Sequence, residues 1–195
     1  MRDIGKSYVA KNSIEMEHEQ LVGDHLIHAS NRVGNLILVW WRPAMRKVLN
    51  FDKHLKIKSA TVNIPAMLFV LQNTSLYLFA LMDDTRPVLQ TKLYHAPFYN
   101  IYDDARVCMG TAPISKIKAK TFEKEAERFE RAFFMAEQTG GISEKRCKTP
   151  LGSLWRSLIG TNKVFPAKKE LVQHPKFKTL GTILNRFIDN SNDED

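Results

Sequence analysis

Two short segments, Ala66-Met67-Leu68-Phe69-Val70-Leu71 and Leu76-Tyr77-Leu78-Phe79-Ala80-Leu81, constrain this chain more than anything else in it. Each has the length of a strand, and Asn73-Thr74-Ser75 between them supplies the short polar side chains of a turn. They read as a hairpin. Side chains alternate between the faces of a strand, so strands apolar at nearly every position are apolar on both faces, and further structure must cover the sheet. Upstream, Leu36-Ile37-Leu38-Val39-Trp40-Trp41 is β-branched and aromatic. Arg42-Pro43-Ala44-Met45 then turns, because Pro43 fixes φ and lacks an N–H, and Arg46-Lys47-Val48-Leu49-Asn50-Phe51 returns. The expectation is a four-stranded antiparallel meander made of two hairpins.

The rest of the chain is read around that sheet. Residues 1–35 are polar, but Leu21, Val22, His25, Leu26 and Ala29 fall at helical spacing and predict a short helix from Glu17 to Ser30. His25 and His28 would share its face, without a third ligand to make a metal site. From Met82 to Pro113 the periodicity breaks at Pro87, Pro97, Gly110 and Pro113, and Asp83-Asp84 and Asp103-Asp104 mark polar turns. An irregular stretch of that length in a compact domain usually carries function, and this one contains Cys108. Phe122, Ala126, Phe129, Phe133 and Ala136 then form one apolar stripe, predicting a core-facing helix from Thr121 to Thr139. Thr121 caps it, Glu127 and Arg131 pair along it, and Gly140-Gly141 ends it. Gly141–Thr149 reads as a basic linker. Leu151, Leu154, Trp155 and Leu158 behind Pro150, a short element at Leu171, and Leu180, Ile183, Leu184 and Phe187 predict further helices before an acidic tail. The organisation is an N-terminal segment (1–35), a core (36–140) and a C-terminal helical extension packed on it (141–195). The fold class is α+β, with helices against one sheet face.

Charge and cysteine count narrow the chemistry. The net charge of +8, from 29 Lys and Arg against 21 Asp and Glu, favours acidic partners, yet no recognised nucleic-acid motif accompanies it, so nucleic acid is not the expected ligand. Lys53, Lys56 and Lys58 form the clearest cationic cluster, either a solvated loop or a steering surface for an acidic partner. No apolar run reaches membrane-spanning length and no signal-peptide pattern opens the chain, so the expected location is the cytosol, with no membrane partner. Two cysteines make neither a disulfide framework nor a four-ligand zinc site, and no metal or cofactor is expected. Cys147 reads as a small buried hydrophobe.

The context of Cys108 is more specific. Tyr94-His95-Ala96-Pro97-Phe98-Tyr99-Asn100-Ile101 is followed by Asp103-Asp104 and then by Val107-Cys108-Met109, with eight positions from Asn100 to Cys108. This resembles the ubiquitin-conjugating enzymes, in which a Tyr-His-Pro-Asn-Ile segment after a four-stranded meander precedes the catalytic Cys by the same interval. Here three additional residues separate His95 from Asn100, and Phe98-Tyr99 stand directly before it. A broader resemblance runs from Leu36 to Leu184. Trp40-Trp41-Arg42-Pro43-Ala44-Met45-Arg46, Arg86-Pro87, Val107-Cys108-Met109-Gly110, Phe129-Glu130-Arg131-Ala132-Phe133-Phe134, Leu154-Trp155 and Phe165-Pro166 are similar to the B-component family of the bacterial PRTRC cassette, a branch of the same superfamily. The family's members often carry a His just beyond the helix that follows the Cys, whereas Met135–Gly140 has none.

The resemblance implies a UBC-like fold with an active-site loop and C-terminal helices packed on the sheet. It also implies a ubiquitin-like partner, a ThiF-like activating partner, and as cassette neighbours a JAB-type peptidase and a ParB-related protein. Cys108 would take an acyl group as a thioester, with Arg106 favouring the thiolate and Asp103 and Asp104 opposing it. The Asn100 amide would donate to the oxyanion, a contact worth about 3 kcal/mol, or would hold the loop. Asp103 or Asp104 would orient an incoming amine, or shape a turn. His95 is a loop histidine, a buttress for Asn100, or an acid/base. At the level of the whole protein the alternatives are an acyl carrier, an inactive scaffold of the same fold, and a basic DNA-associated protein.

Overall fold

The computed structural model describes residues 24–32, 34–110, 112–114, 119–142 and 146–188. The strands are β1 (Leu26–Arg32), β2 (Asn35–Arg42), β3 (Met45–Phe51), β4 (Ala60–Ile64), β5 (Met67–Gln72), β6 (Ser75–Ala80), β7 (Tyr94–His95) and β8 (Glu137–Gln138). The α-helices of the described residues are α1 (Phe122–Met135), α2 (Leu151–Leu158), α3 (Ala167–Glu170) and α4 (Leu180–Phe187). The fold is a mixed α+β one with an antiparallel main sheet, compatible with a conjugating-enzyme-like architecture. No helix among the described residues is long and apolar enough to cross a membrane.

The hairpin of β5 and β6 forms as expected, with Gln72 opposite Ser75. The expected hairpin of β2 and β3 does not. The main sheet has five strands in the order β1-β2-β5-β6-β7, and β2 pairs with β5 from Ile37 opposite Gln72 to Arg42 opposite Met67. Past Pro43, β3 leaves for a smaller sheet, between β4 and a short parallel β8. Burial explains the choice. All of β5 from Met67 to Leu71 is sealed, so it needs a fully buried neighbour, which β2 is. By contrast, β3 alternates exposed Arg46 and Val48 with buried Leu49 and Phe51, a strand suited to one open face.

A second correction concerns the N-terminal helix. Glu17–Gly23 lie outside the described residues, but Leu26–Arg32 form β1, with Ser30 opposite Ile37 and Arg32 opposite Asn35. Pairing supplies partners for the backbone edge of β2, which helical spacing of a few apolar residues cannot outweigh. His25 and His28 therefore do not share a helix face, and no His/Cys/Asp/Glu cluster among the described residues could hold a metal.

Both faces of the main sheet are covered, not one. Leu38, Trp40, Met67, Phe69, Leu71, Leu76 and Leu78 pack with Phe129 and Phe133 of α1 and with Leu151, Leu154 and Trp155 of α2. Ile37, Val39, Trp41, Leu68, Val70 and Phe79 point the other way, against Phe177 and against Leu180, Ile183 and Phe187 of α4. Thr121 caps α1 by accepting from the Lys124 N–H at 3.2 Å. The helix stops at Met135, short of the expected Thr139, because Glu137 and Gln138 turn extended to pair with Asn50 and Phe51. Glu127 takes Lys124 at 2.8 Å as its ionic partner, where Arg131 was expected.

Glu130 joins the two sheets to α1. Its carboxylate, 8 % exposed, accepts from Arg42 Nε at 2.7 Å, Trp40 Nε1 at 3.3 Å and Lys47 Nζ at 3.5 Å. Truncating it leaves two partly buried cations and an indole N–H without their shared acceptor. Glu130→Ala is expected to lower unfolding free energy by about 2–4 kcal/mol, read from urea denaturation. A loss within experimental error would show that water replaces the carboxylate there.

Candidate active site

Residues 100–108 form a tight hairpin, which accounts for the eight-residue interval. The Cys108 N–H donates to the Asn100 carbonyl at 2.8 Å, and the Tyr102 N–H to the Arg106 carbonyl at 2.8 Å, while Ile101 bridges Val107. Asp103, Asp104 and Ala105 make the three-residue connection, closed by Ala105 N–H to the Tyr102 carbonyl at 2.9 Å. This is the loop length in which a type I turn is followed by a left-handed residue, and Ala105 has φ +69°. Asp104 stabilises the turn by accepting from the Arg106 N–H at 3.0 Å. The second arm is anchored to β6 through Leu78 N–H to the Ala105 carbonyl and Val107 N–H to the Leu76 carbonyl.

Alternation along the arms then sorts the side chains. Ile101 and Val107 go into the core, whereas Asn100, Tyr102, Arg106 and Cys108 occupy the other face. Cys108 is partly exposed. Tyr102 stands diagonally across the hairpin from it. The Arg106 guanidinium lies 4.7 Å from the centre of the Tyr102 ring and its Nε 3.9 Å from the Asp104 carboxylate. Cys147 is buried, and burial, with Glu170 adding to it, pushes its thiol up to about 12.

The Asn100 side chain is engaged as a clamp. Its Nδ2 donates to the Glu137 carbonyl at 2.6 Å, and its Oδ1 accepts from both the backbone N–H and the hydroxyl of Thr139 at 3.0 Å. The neighbouring Tyr99 N–H donates to the buried Gln138 at 3.0 Å. The short β8 segment that ended α1 early is thus the piece that holds the first arm of the hairpin.

His95 sits opposite Phe79 on β7, at the edge of the main sheet. Its ring packs on His174, centroids 4.5 Å apart, and His174 Nε2 lies 3.1 Å from the Asp103 carbonyl. His174 Nδ1 accepts from the Lys176 and Phe177 N–H groups at 3.3 and 3.1 Å, so it carries no proton, and Nε2–H is the donor to Asp103. Arg146, 1 % exposed, donates to the Ile101 carbonyl and lies 3.6 Å from the largely exposed Asp103 carboxylate. Burial first, then His174 and Arg146, lowers His95 from its ordinary 6.5 to about 4, against the pull of Asp103. Burial lowers His174 as well.

Of the five residues expected at the site, Asn100 and Cys108 are brought opposite one another, and Asp103 and Asp104 sit at the hairpin tip. His95 packs on His174, which meets the tip at the Asp103 carbonyl. Tyr102, Arg146 and His174 were not anticipated. Tyr102 was accessible in principle, being diagonal to Cys108 in a nine-residue hairpin. The other two lie in the segment read as a basic linker and in the stretch between the elements at Leu171 and Leu180.

A family model described as prokaryotic E2 family D matches residues 3–174, a span that holds the whole hairpin and ends at His174. Comparison with curated proteins and with solved structures gave no match.

The half-buried His95 and the buried His174 make stability depend on pH. Between 6.5 and about 4 the unfolded chain binds a proton that native His95 refuses, so stability falls as pH drops through that window. Urea midpoints should decline from pH 7 to pH 4.5, and His95→Gln should flatten part of that decline. Superimposable pH dependences for parent and variant would show that His95 protonates as readily folded as unfolded.

Proposed function

The chain belongs to prokaryotic E2 family D, and we propose that it is a ubiquitin-conjugating-like acyl carrier that takes a ubiquitin-like protein as a thioester on Cys108. The observation that carries this reading is a partly exposed thiol on a hydrogen-bonded hairpin, within the family match. In this reading the meander of a conjugating enzyme corresponds to β1-β2-β5-β6, with β3 and β4 as an excursion between its second and third strands. The Cys108 thiolate attacks the thioester carbonyl of the activated modifier. The new C–S bond forms as the old one breaks, and the electron pair leaves on the donor sulphur. An amine or thiol then attacks in turn, expelling Cys108 as thiolate and giving its proton to water.

The resemblance to the B component of the PRTRC cassette supplies the partners of this proposal. They are a ThiF-like activating protein and a ubiquitin-like protein, with a JAB-type peptidase and a ParB-related protein beside them. A second reading, a non-catalytic scaffold for the same partners, is favoured by one observation: both ends of the Asn100 carboxamide are engaged by the 137–139 segment, which suits a structural part.

The two readings separate in one mixture of this protein, the activating protein, the ubiquitin-like protein and ATP. The acyl carrier gives a thiol-labile adduct, Cys108→Ser gives a stable oxyester or nothing, and Cys147→Ser matches the parent, as expected for a buried thiol held protonated. No adduct on the parent leaves the scaffold, and an adduct lost only in Cys147→Ser overturns the assignment of Cys108.

A further inference from the structure

The small sheet and α2 bring cations from two distant parts of the chain together. The outer strand of that sheet is β4, and the lysine cluster of the sequence leads into it, with Lys53, Lys56 and Lys58 all exposed. Arg156 of α2, also exposed, donates to the Leu55 carbonyl at 3.4 Å, inside the cluster. Towards the far end of β4, Asn63 Nδ2 donates to the Asn162 and Lys163 carbonyls at 3.1 and 2.9 Å. The segments 53–64 and 150–169 are thus joined at two places, and neither contains an Asp or a Glu. The carboxylates at their borders are committed to backbone. Asp52 accepts from the His54 N–H at 2.8 Å, and the buried Glu170 from the Thr149 N–H at 2.9 Å. Among the described residues, none of Lys53, Lys56, Lys58, Arg156 and Lys163 has a carboxylate as an ion-pair partner. Like charges gathered in this way repel one another and gain most from a polyanion.

The neighbours of these cations decide between polyanions. The aromatic side chains of the two segments, Trp155 and Phe165, are buried. The surface therefore offers no ring on which an unpaired base could stack, and no aromatic anchor of the kind that dominates protein–protein contacts. Ser59, Ser157 and Asn162 are exposed in the same segments, and such side chains donate to phosphate oxygens. Charge and hydrogen-bond donors without an apolar anchor match a duplex, which presents a dense line of phosphates. We propose that this surface binds the phosphate backbone of double-stranded nucleic acid without reading its sequence. The site uses none of the residues of the Cys108 hairpin and does not depend on what that thiol carries. No local motif announces it, because its two parts lie about a hundred residues apart in the chain.

The test titrates the full chain into a fluorescent DNA duplex of arbitrary sequence and reads anisotropy at a series of salt concentrations. Five cations on phosphates give a slope of log Kobs against log salt of about −4 to −5. Replacing Lys53, Lys56 and Lys58 together (Lys53→Gln, Lys56→Gln, Lys58→Gln) should make the slope shallower by about 2–3, and Lys163→Gln alone, from the other segment, by about 1. Lys92→Gln, Lys176→Gln and Lys178→Gln together remove the same charge at exposed positions beside Leu93 and Phe177, in the cluster under α4. That control should leave the slope as it is, and urea midpoints verify that every variant is folded. An RNA duplex of the same length identifies the source of the phosphates, the natural ligand being the duplex bound more tightly. Equal losses in the two triple variants would mean that net charge alone drives binding, and would overturn the site. No binding to either duplex at low salt, tighter binding to oligo(dT), or equal binding to polyglutamate would overturn the partner.

Discussion

The strand β5 sets the terms for everything around it. Met67, Leu68, Phe69, Val70 and Leu71 are fully sealed, with side chains directed alternately to both faces of the sheet. Burying each is worth roughly 1.5–3 kcal/mol, and that gain exists only if each face has a cover. One cover comes from α1 and α2. The other comes from α4, near the end of the chain, and to reach that face the chain must first pass the sheet edge at β7. It does so in extended form, with Gln173 bridged to Tyr94, Thr179 bridged to Lys92, and His174 N–H bonded to the Leu93 carbonyl. That path delivers the His174 ring to the Asp103 carbonyl. The support under the candidate site is therefore a by-product of covering a sheet that is apolar on both sides.

What could be read from sequence follows the same logic. The strands β2, β5 and β6, and helices α2 and α4, announce themselves because their burial is nearly complete or strictly periodic. Pairing was less legible. Pro43 marks a bend equally well whether the chain folds back as a hairpin or moves to another sheet, and only the seal around Met67–Leu71 decides which strand lies beside β2. Ala60–Ile64 was overlooked, although Val62 and Ile64 alternate as a strand should. Leu26–Ser30, now part of β1, was read as the end of a helix from three or four apolar spacings, too few to outweigh an unpaired strand edge. The last turn expected in α1 yielded to the demands of Asn100 and Gln138, which lie far apart in sequence. Of the site, the eight-residue interval was visible, and so in retrospect was the diagonal position of Tyr102. A cationic side chain sealed within the fold, such as Arg146, carries no local signal, because its partners are backbone carbonyls and turns contributed by other segments.

Arg146 also gives the hairpin tip its electrostatic character. A guanidinium with 1 % of its surface exposed is a costly thing to bury. Its partners are the Ile101 carbonyl and, across 3.6 Å, a carboxylate on Asp103 that is itself 87 % exposed. The charge adds to the larger effect of burial in lowering both nearby histidines. A neutral His174 with Nδ1 as double acceptor and Nε2–H as donor has one orientation that satisfies all its bonds. Protonation would turn that acceptor into a donor facing two backbone N–H groups. The cation thereby stabilises the tautomer that holds the Asp103 carbonyl.

Ala105 carries the argument one step further. A residue with a side chain at φ +69° costs about 1–2 kcal/mol over ordinary backbone, and glycine would avoid most of it. Yet the Ala105 side chain is 2 % exposed and belongs to the cluster that includes Phe177 and α4. Ile101 and Val107, one and two residues to either side of the turn, belong instead to the cluster beneath α1 and α2. The hairpin is thus fastened at its tip to one cover of the sheet and along its arms to the other. A strained alanine makes sense in that position, since its methyl group supplies the contact that glycine would lack. Cys108 then holds its place opposite Asn100 only while both covers stay seated, which makes the site a reporter of the whole fold.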